Sequence, residues 1–214
     1  RTRPDVPLVG LDSVKLRPVT VATFHVPAGA GGSPPVIGVR PGQILTDRLS
    51  VTVARRDGAL VADVASDVLK VAVLGRHNAE GRVGRGFVKG FGFARGAIAS
   101  SIGHDSHNVC VIGCNDADMA VAVNRLIELK GGFAAAVDGT VVAELALPIA
   151  GLMSDRPFEE VEHGLRALRE AVRGLGTTLH EPFLQMAFLP LPVIPHLRIT
   201  DRGLVDVDRF ELVG

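Results

Sequence analysis

Two Asp-Gly pairs, Asp57-Gly58 and Asp138-Gly139, each stand between short β-type runs, and this arrangement constrains the fold more than any other feature of the chain. A two-residue hairpin turn of the mirror-image type needs left-handed backbone at both central residues, which Asp tolerates and Gly adopts freely. The first pair predicts a hairpin among the runs 36–39, 49–54, 60–63 and 69–74. The second joins 133–137 to 140–147. Both predict antiparallel sheet.

Helical spacing occurs in two places. Asn115 or Asp116 can cap a helix whose buried side carries Met119, Ala122, Val123, Leu126 and Ile127, with Asp118 near its positive end and Gly131-Gly132 stopping it. A second helix begins near Ser154, Asp155 and Pro157, buries a stripe of Phe158, Val161, Leu165, Leu168, Val172 and Leu175, and ends at Gly174 or Gly176. The expected architecture is α+β, mostly antiparallel sheet with two principal helices in a single domain. Residues 1–35, rich in Pro and Gly, read as a linker plus a first strand at 19–26, and 36–214 as the domain body, closed by short strands around the turn in 197–207.

Six glycines lie between Gly81 and Gly96, alternating with Phe87, Phe91 and Phe93. Neither phosphate-loop pattern is present and no helix follows, so the glycines are expected at close strand approaches with the Phe rings in the core.

With 47% hydrophobic residues in 214, the chain can bury a sizeable core. Its 23 basic residues are interspersed with 23 acidic ones, which leaves no electrostatic footprint for nucleic acid or anionic lipid and favours a small neutral ligand. The longest apolar tracts are interrupted by Glu144 and Pro148, and by Pro190, Pro192 and Pro195, so neither spans a bilayer. Arg1-Thr2-Arg3-Pro4-Asp5 is not a signal peptide, and with no initiator Met the chain reads as a segment of something longer. Cys110 and Cys114 resemble neither a disulfide framework nor a closed zinc site, which predicts a reducing, cytoplasmic compartment.

Chemistry concentrates in His104, Asp105, Ser106, His107 and Asn108, between the apolar segments 97–99 and 109–112, where a buried strand is expected to begin. These residues are candidates for contact with substrate or for capping a site. The alternative is a hydrogen-bonded loop anchor, with Asp105, Ser106 and Asn108 satisfying backbone groups and the histidines buried. His104, Asp105 and His107 are also candidate metal ligands if Asp118, Glu144 or another carboxylate joins them, although His-x-His and helical His pairs are absent. No Gly-x-Ser-x-Gly turn supports serine catalysis, and the cytidine-deaminase zinc pattern is missing. Glu144, inside the apolar run 141–147, is a surface residue if its face meets solvent, and a recognition candidate with a raised pKa if it faces a pocket.

Six strings along the chain carry a resemblance. They are Gly-Phe-Val-Lys-Gly-Phe-Gly at 86–92, Arg-Gly-Ala-Ile-Ala-Ser-Ser at 95–101, His-Asp-Ser-His-Asn at 104–108, Asn-Asp-Ala-Asp-Met-Ala at 115–120, Leu-Pro-Ile-Ala-Gly-Leu-Met-Ser-Asp at 147–155, and Leu-Pro-Val-Ile-Pro at 191–195 followed by Thr-Asp-Arg-Gly-Leu at 200–204. In this order they resemble the C-terminal domain of the prokaryotic adenine deaminases of the amidohydrolase superfamily. The resemblance implies hydrolysis of adenine to hypoxanthine and ammonia in purine salvage, with a metal-bound hydroxide attacking the purine. It also implies that the divalent metal (manganese, iron or zinc) is held by a preceding barrel domain opening on a His-x-His strand, which this chain lacks. The isolated chain is therefore expected to be inactive. Its expected partners are that barrel, in cis or in trans, and adenine as substrate of the whole enzyme. A homo-oligomer is expected too, with the proline-rich run 183–197 as a rigid, partly exposed contact segment. The alternative is a free-standing, non-catalytic small-molecule-binding or assembly module with the same fold.

Overall fold

The computed structural model describes residues 7–213, so the reading of residues 1–5 lies outside the described residues. The chain forms, in order, a 3-10 turn (Val21–Phe24), β1 (Val26–Pro27), β2 (Val36–Val39), β3 (Thr46–Leu49), β4 (Ala54–Arg56), β5 (Ala59–Val61), β6 (Val68–Leu74), β7 (Val83–Lys89), β8 (Ala97–Ser100) and β9 (Val109–Gly113). There follow α1 (Asp116–Leu129), β10 (Gly132–Val137), β11 (Thr140–Ala146), α2 (Phe158–Arg173), α3 (Pro182–Ala187), β12 (Leu197–Thr200), β13 (Gly203–Asp206) and β14 (Glu211–Val213).

Eight strands build one open sheet in the order β11-β10-β8-β9-β6-β7-β2-β3. Every neighbouring pair is antiparallel except β2 with β7. Two smaller antiparallel sheets, β1-β5-β4 and β12-β13-β14, complete an α+β domain, and among the described residues no sheet closes into a barrel. Both Asp-Gly pairs make the expected turns, with φ of 49° and 75° at Asp57 and Gly58 and 51° and 76° at Asp138 and Gly139.

The strands β6 and β9 are buried along their whole length because both faces of the central sheet are covered. Alternation sends Ala72, Leu74, Val109 and Val111 towards Met119, Ala122, Val123 and Leu126 of α1. It sends Leu69, Val71, Val73, Cys110 and Ile112 towards Val172, Met186, Leu189 and Ile199. Each large apolar side chain so buried contributes about 1.5–3 kcal/mol. Helix α1 starts where Asn115 Oδ1 accepts the Asp118 N–H at 2.8 Å, and it stops at Lys130 and Gly131, both at positive φ. Phe87, Phe91 and Phe93 lie in the core as expected, and the glycines around them admit close neighbours. A Cβ on Gly84 would sit 1.9 Å from the Thr200 carbonyl oxygen, so the β12-β13 hairpin can lie directly on β7.

Three expectations need correction, and a fourth gains detail. The run 19–26 is a 3-10 turn followed by the two-residue β1, because Thr23 Oγ1 takes the Thr20 N–H at 3.1 Å and curls the backbone. The run 49–54 is not one strand: β3 ends at Leu49, β4 begins at Ala54, and 50–53 form the gap between them. The segment 183–197 is partly exposed, at Leu184 and Val193, and opens with a short helix, since Pro182 occupies its first turn, where a proline costs no hydrogen bond, while Met186, Leu189 and Leu191 are buried. In α2, the stripe reaches the core only from Leu168 onwards, and Phe158 is 77% exposed.

Candidate functional site

Residues 101–108 connect β8 to β9, two strands in the middle of the sheet, and the connection folds back on itself. The His107 N–H donates to the Gly103 carbonyl at 2.6 Å, and the Gly103 N–H donates to His107 Nδ1 at 3.3 Å. This tight closure puts His107 in the left-handed region at φ 49°. The chain just beyond β6 grips the loop from below. The Arg76 N–H donates to Asn108 Oδ1 at 3.2 Å, Arg76 Nε donates to the His107 carbonyl, and His77 Nε2 donates to the Ser106 carbonyl at 2.5 Å.

Arg76 is 1% exposed and has no carboxylate partner among the described residues. Its remaining donors go to Ser13 O at 3.1 Å, Ser13 Oγ at 2.8 Å and Ala150 O at 2.9 Å. One guanidinium thus ties the N-terminal strap, the loop and the 149–153 turn to the end of β6. Gly151 is required there, since a Cβ would stand 2.7 Å from Arg76 Nη1.

From this base the loop presents its rings. The His104 N–H donates to the Ala187 carbonyl at 2.8 Å, and the His104 ring stacks on Phe188 with centroids 5.0 Å apart and planes at 20°. The His107 ring lies 5.7 Å from that of His104. Phe188 is itself fixed, because buried Arg198 donates to its carbonyl at 2.9 Å and to that of Ile194 at 2.7 Å. Phe188 also walls an apolar groove of about 440 Å³ with Gly42, Ile44, Leu179 and Leu184. Burial, with the His104 ring and the Arg76 charge nearby, holds the His107 pKa below its ordinary value.

The adenine deaminase C-terminal domain family model matches residues 43–211. The chain belongs to that family. It is 61% identical, over 99% of its length, to an adenine deaminase of Methylobacterium nodulans, and 62% identical, over all of its length, to one of Methylobacterium sp. strain 4-46. It is 55% identical over its full length to adenine deaminase 1 of Rhizobium etli. The chain spans 37–38% of the length of these relatives.

Within this family domain the loop residues divide by role. Asn108 anchors the backbone, whereas Asp105 and Ser106 are exposed and their side chains make no hydrogen bond among the described residues. The histidines are partly exposed rather than buried. Among the described residues no group of three or more His, Cys, Asp or Glu side chains converges to hold a metal ion. Burial pushes the thiols of Cys110 and Cys114 up to about 12, so both are protonated at neutral pH.

Glu144 is held apart from this loop. Its carboxylate takes a two-pronged bond from Arg125, 2.5 Å to Nε and 2.6 Å to Nη2, which clips the edge strand β11 to α1. That hydrogen bonding holds its pKa below the ordinary value.

The sequence reading missed Arg76, His77 and Phe188. A signal for the first two exists, since Arg76-His77 ends an apolar strand as abruptly as His104 to Asn108 precedes one. Phe188 carries no such mark.

Proposed function

We propose that this chain is the C-terminal portion of an enzyme that hydrolyses adenine to hypoxanthine and ammonia. In this reading it packs on a metal-dependent amidohydrolase barrel outside these residues, and turns the 104–108 loop towards the barrel mouth. The observation that carries it is the way one buried arginine, with His77, fastens three successive loop residues and leaves the imidazoles of His104 and His107 partly exposed. Functional residues are characteristically carried on loops that a rigid scaffold holds in place, and this loop is held so.

The chain's own contribution is to close and orient. Held over a bound purine, His104, His107 and Phe188 exclude water, which strengthens every electrostatic interaction at the reacting carbon. Asp105 and Ser106 stand at the rim, where they meet solvent or the partner domain. The groove beside Phe188, with Ile44 46% and Leu184 56% exposed, supports this as the face the barrel covers. Glu144 is assigned to holding β11 rather than to substrate. The metal, which we take to be manganese, iron or zinc, belongs to the barrel. The free thiols support a reducing, cytoplasmic setting for purine salvage. Exposed Phe210 and Leu212 by β14 support a homo-oligomeric enzyme.

The test is His107→Ala in the whole enzyme. The expected result is a fall in kcat/KM of tenfold or more with a stability change within about 1 kcal/mol. Equal losses of activity and stability would refute the reading.

A further inference from the structure

His107 has two ring nitrogens, and the fold assigns them different tasks. The Gly103 N–H, which can only donate, points at Nδ1 from 3.3 Å. Nδ1 therefore offers a lone pair, and a neutral imidazole in this place carries its proton on Nε2. Nε2 has no partner among the described residues, and no buried side-chain nitrogen or oxygen among them lacks one, so Nε2 reaches solvent. The residue's main chain is fixed on both sides, by Gly103 O at its N–H and by Arg76 at its carbonyl. The ring is held as an outward-facing donor beside the flat surface that His104 makes on Phe188.

A donor next to a stacking surface suits a planar heterocycle whose rim carries lone pairs. Adenine has such lone pairs on ring nitrogens, whereas its amino group donates. We propose that His107 recognises the purine by donating its Nε2–H to a ring nitrogen, and so helps set the specificity of the site. This rests on the deaminase reading above. The groups around the ring agree with a neutral donor. Burial above all, then His104, Arg76 and His77, disfavours the imidazolium, and among the described residues Asp105 favours it.

Two substitutions separate recognition from scaffolding. Asn tolerates the left-handed backbone that His107 adopts, so His107→Asn keeps the loop, but its short amide does not reach the Nε2 position. His107→Gln restores a donor near that position at some backbone strain. In the whole enzyme, His107→Asn is expected to raise KM for adenine about tenfold with kcat little changed, and His107→Gln to recover most of that loss. A purely structural role predicts the reverse order, with Asn the better replacement, and that result would overturn the proposal. Adenine analogues with CH in place of nitrogen at ring position 1, 3 or 7 supply the second arm. One of them should raise KM about tenfold in the wild type and leave His107→Asn unaffected. If none discriminates, the proposal fails while the deaminase reading stands. If the wild-type enzyme does not turn over adenine at all, both fall.

Discussion

His104 and Phe188 stack ring on ring, 5.0 Å between centroids and 20° between planes, so the loop before β9 and the end of α3 form one surface. Phe188→Leu keeps an apolar side chain there but removes the flat partner. In the whole enzyme it is expected to raise KM for adenine about threefold and to cost about 1 kcal/mol of stability. Steady-state kinetics with a urea titration checks both. An unchanged KM would separate the stack from substrate.

Arg76→Met removes four side-chain hydrogen bonds and leaves the carbonyls of Ser13, His107 and Ala150 without their donor. The expected loss is about 3 kcal/mol, and Arg76→Lys recovers little of it because one ammonium cannot reproduce the guanidinium fork. Amide hydrogen exchange should rise at 104–108 and 149–153 before it rises in β6. Uniform exchange across the domain would mean that Arg76 supports the core at large.

Gly84→Ala brings a methyl group against the Thr200 carbonyl, where the ideal position leaves 1.9 Å. The β12-β13 hairpin must lift from β7, at an expected cost of about 3 kcal/mol or more. Thermal unfolding checks this, and a melting temperature equal to the wild type would show the hairpin to be less closely seated than described.

Glu144 contributes a pH-dependent increment. Its pKa is depressed by the Arg125 hydrogen bonds, so the unfolded state binds more protons below the ordinary value of 4.5, and the stabilisation present above that pH is lost as pH falls through the lowered folded value. Because the pair is about a third exposed, its worth at pH 7 is at most about 1 kcal/mol. Wild type and Glu144→Gln should differ by that amount at neutral pH and converge as the pH falls from 4.5 through the lowered folded value. A difference that persists in acid would point to a cause other than ionisation.

The hairpins and α1 were readable in the sequence because their signals are local. Asp138-Gly139 dictates its own turn, and Asn115 caps its own helix. Long-range contacts hid the rest. Buried on both faces, β6 and β9 show no alternation, so nothing in the run 68–74 announces that Arg76 will reach Ser13, His107 and Ala150. The helix at Pro182 is shorter than two turns, too brief for a 3.6-residue period to stand out among prolines. The density of polar residues marked the 104–108 loop, but their division of labour was invisible. Asn108 faces inwards and His107 is held by Gly103 because of the turn between them.

The most direct test follows ammonia release from adenine by this chain alone, by the remainder of the enzyme alone, and by the two together, each with manganese, iron or zinc supplied. The account predicts no turnover by the chain alone and full turnover only when both parts are present. Turnover by the chain alone, or equal turnover by the remainder without it, would contradict the assignment of 104–108 as a loop that completes another domain's site.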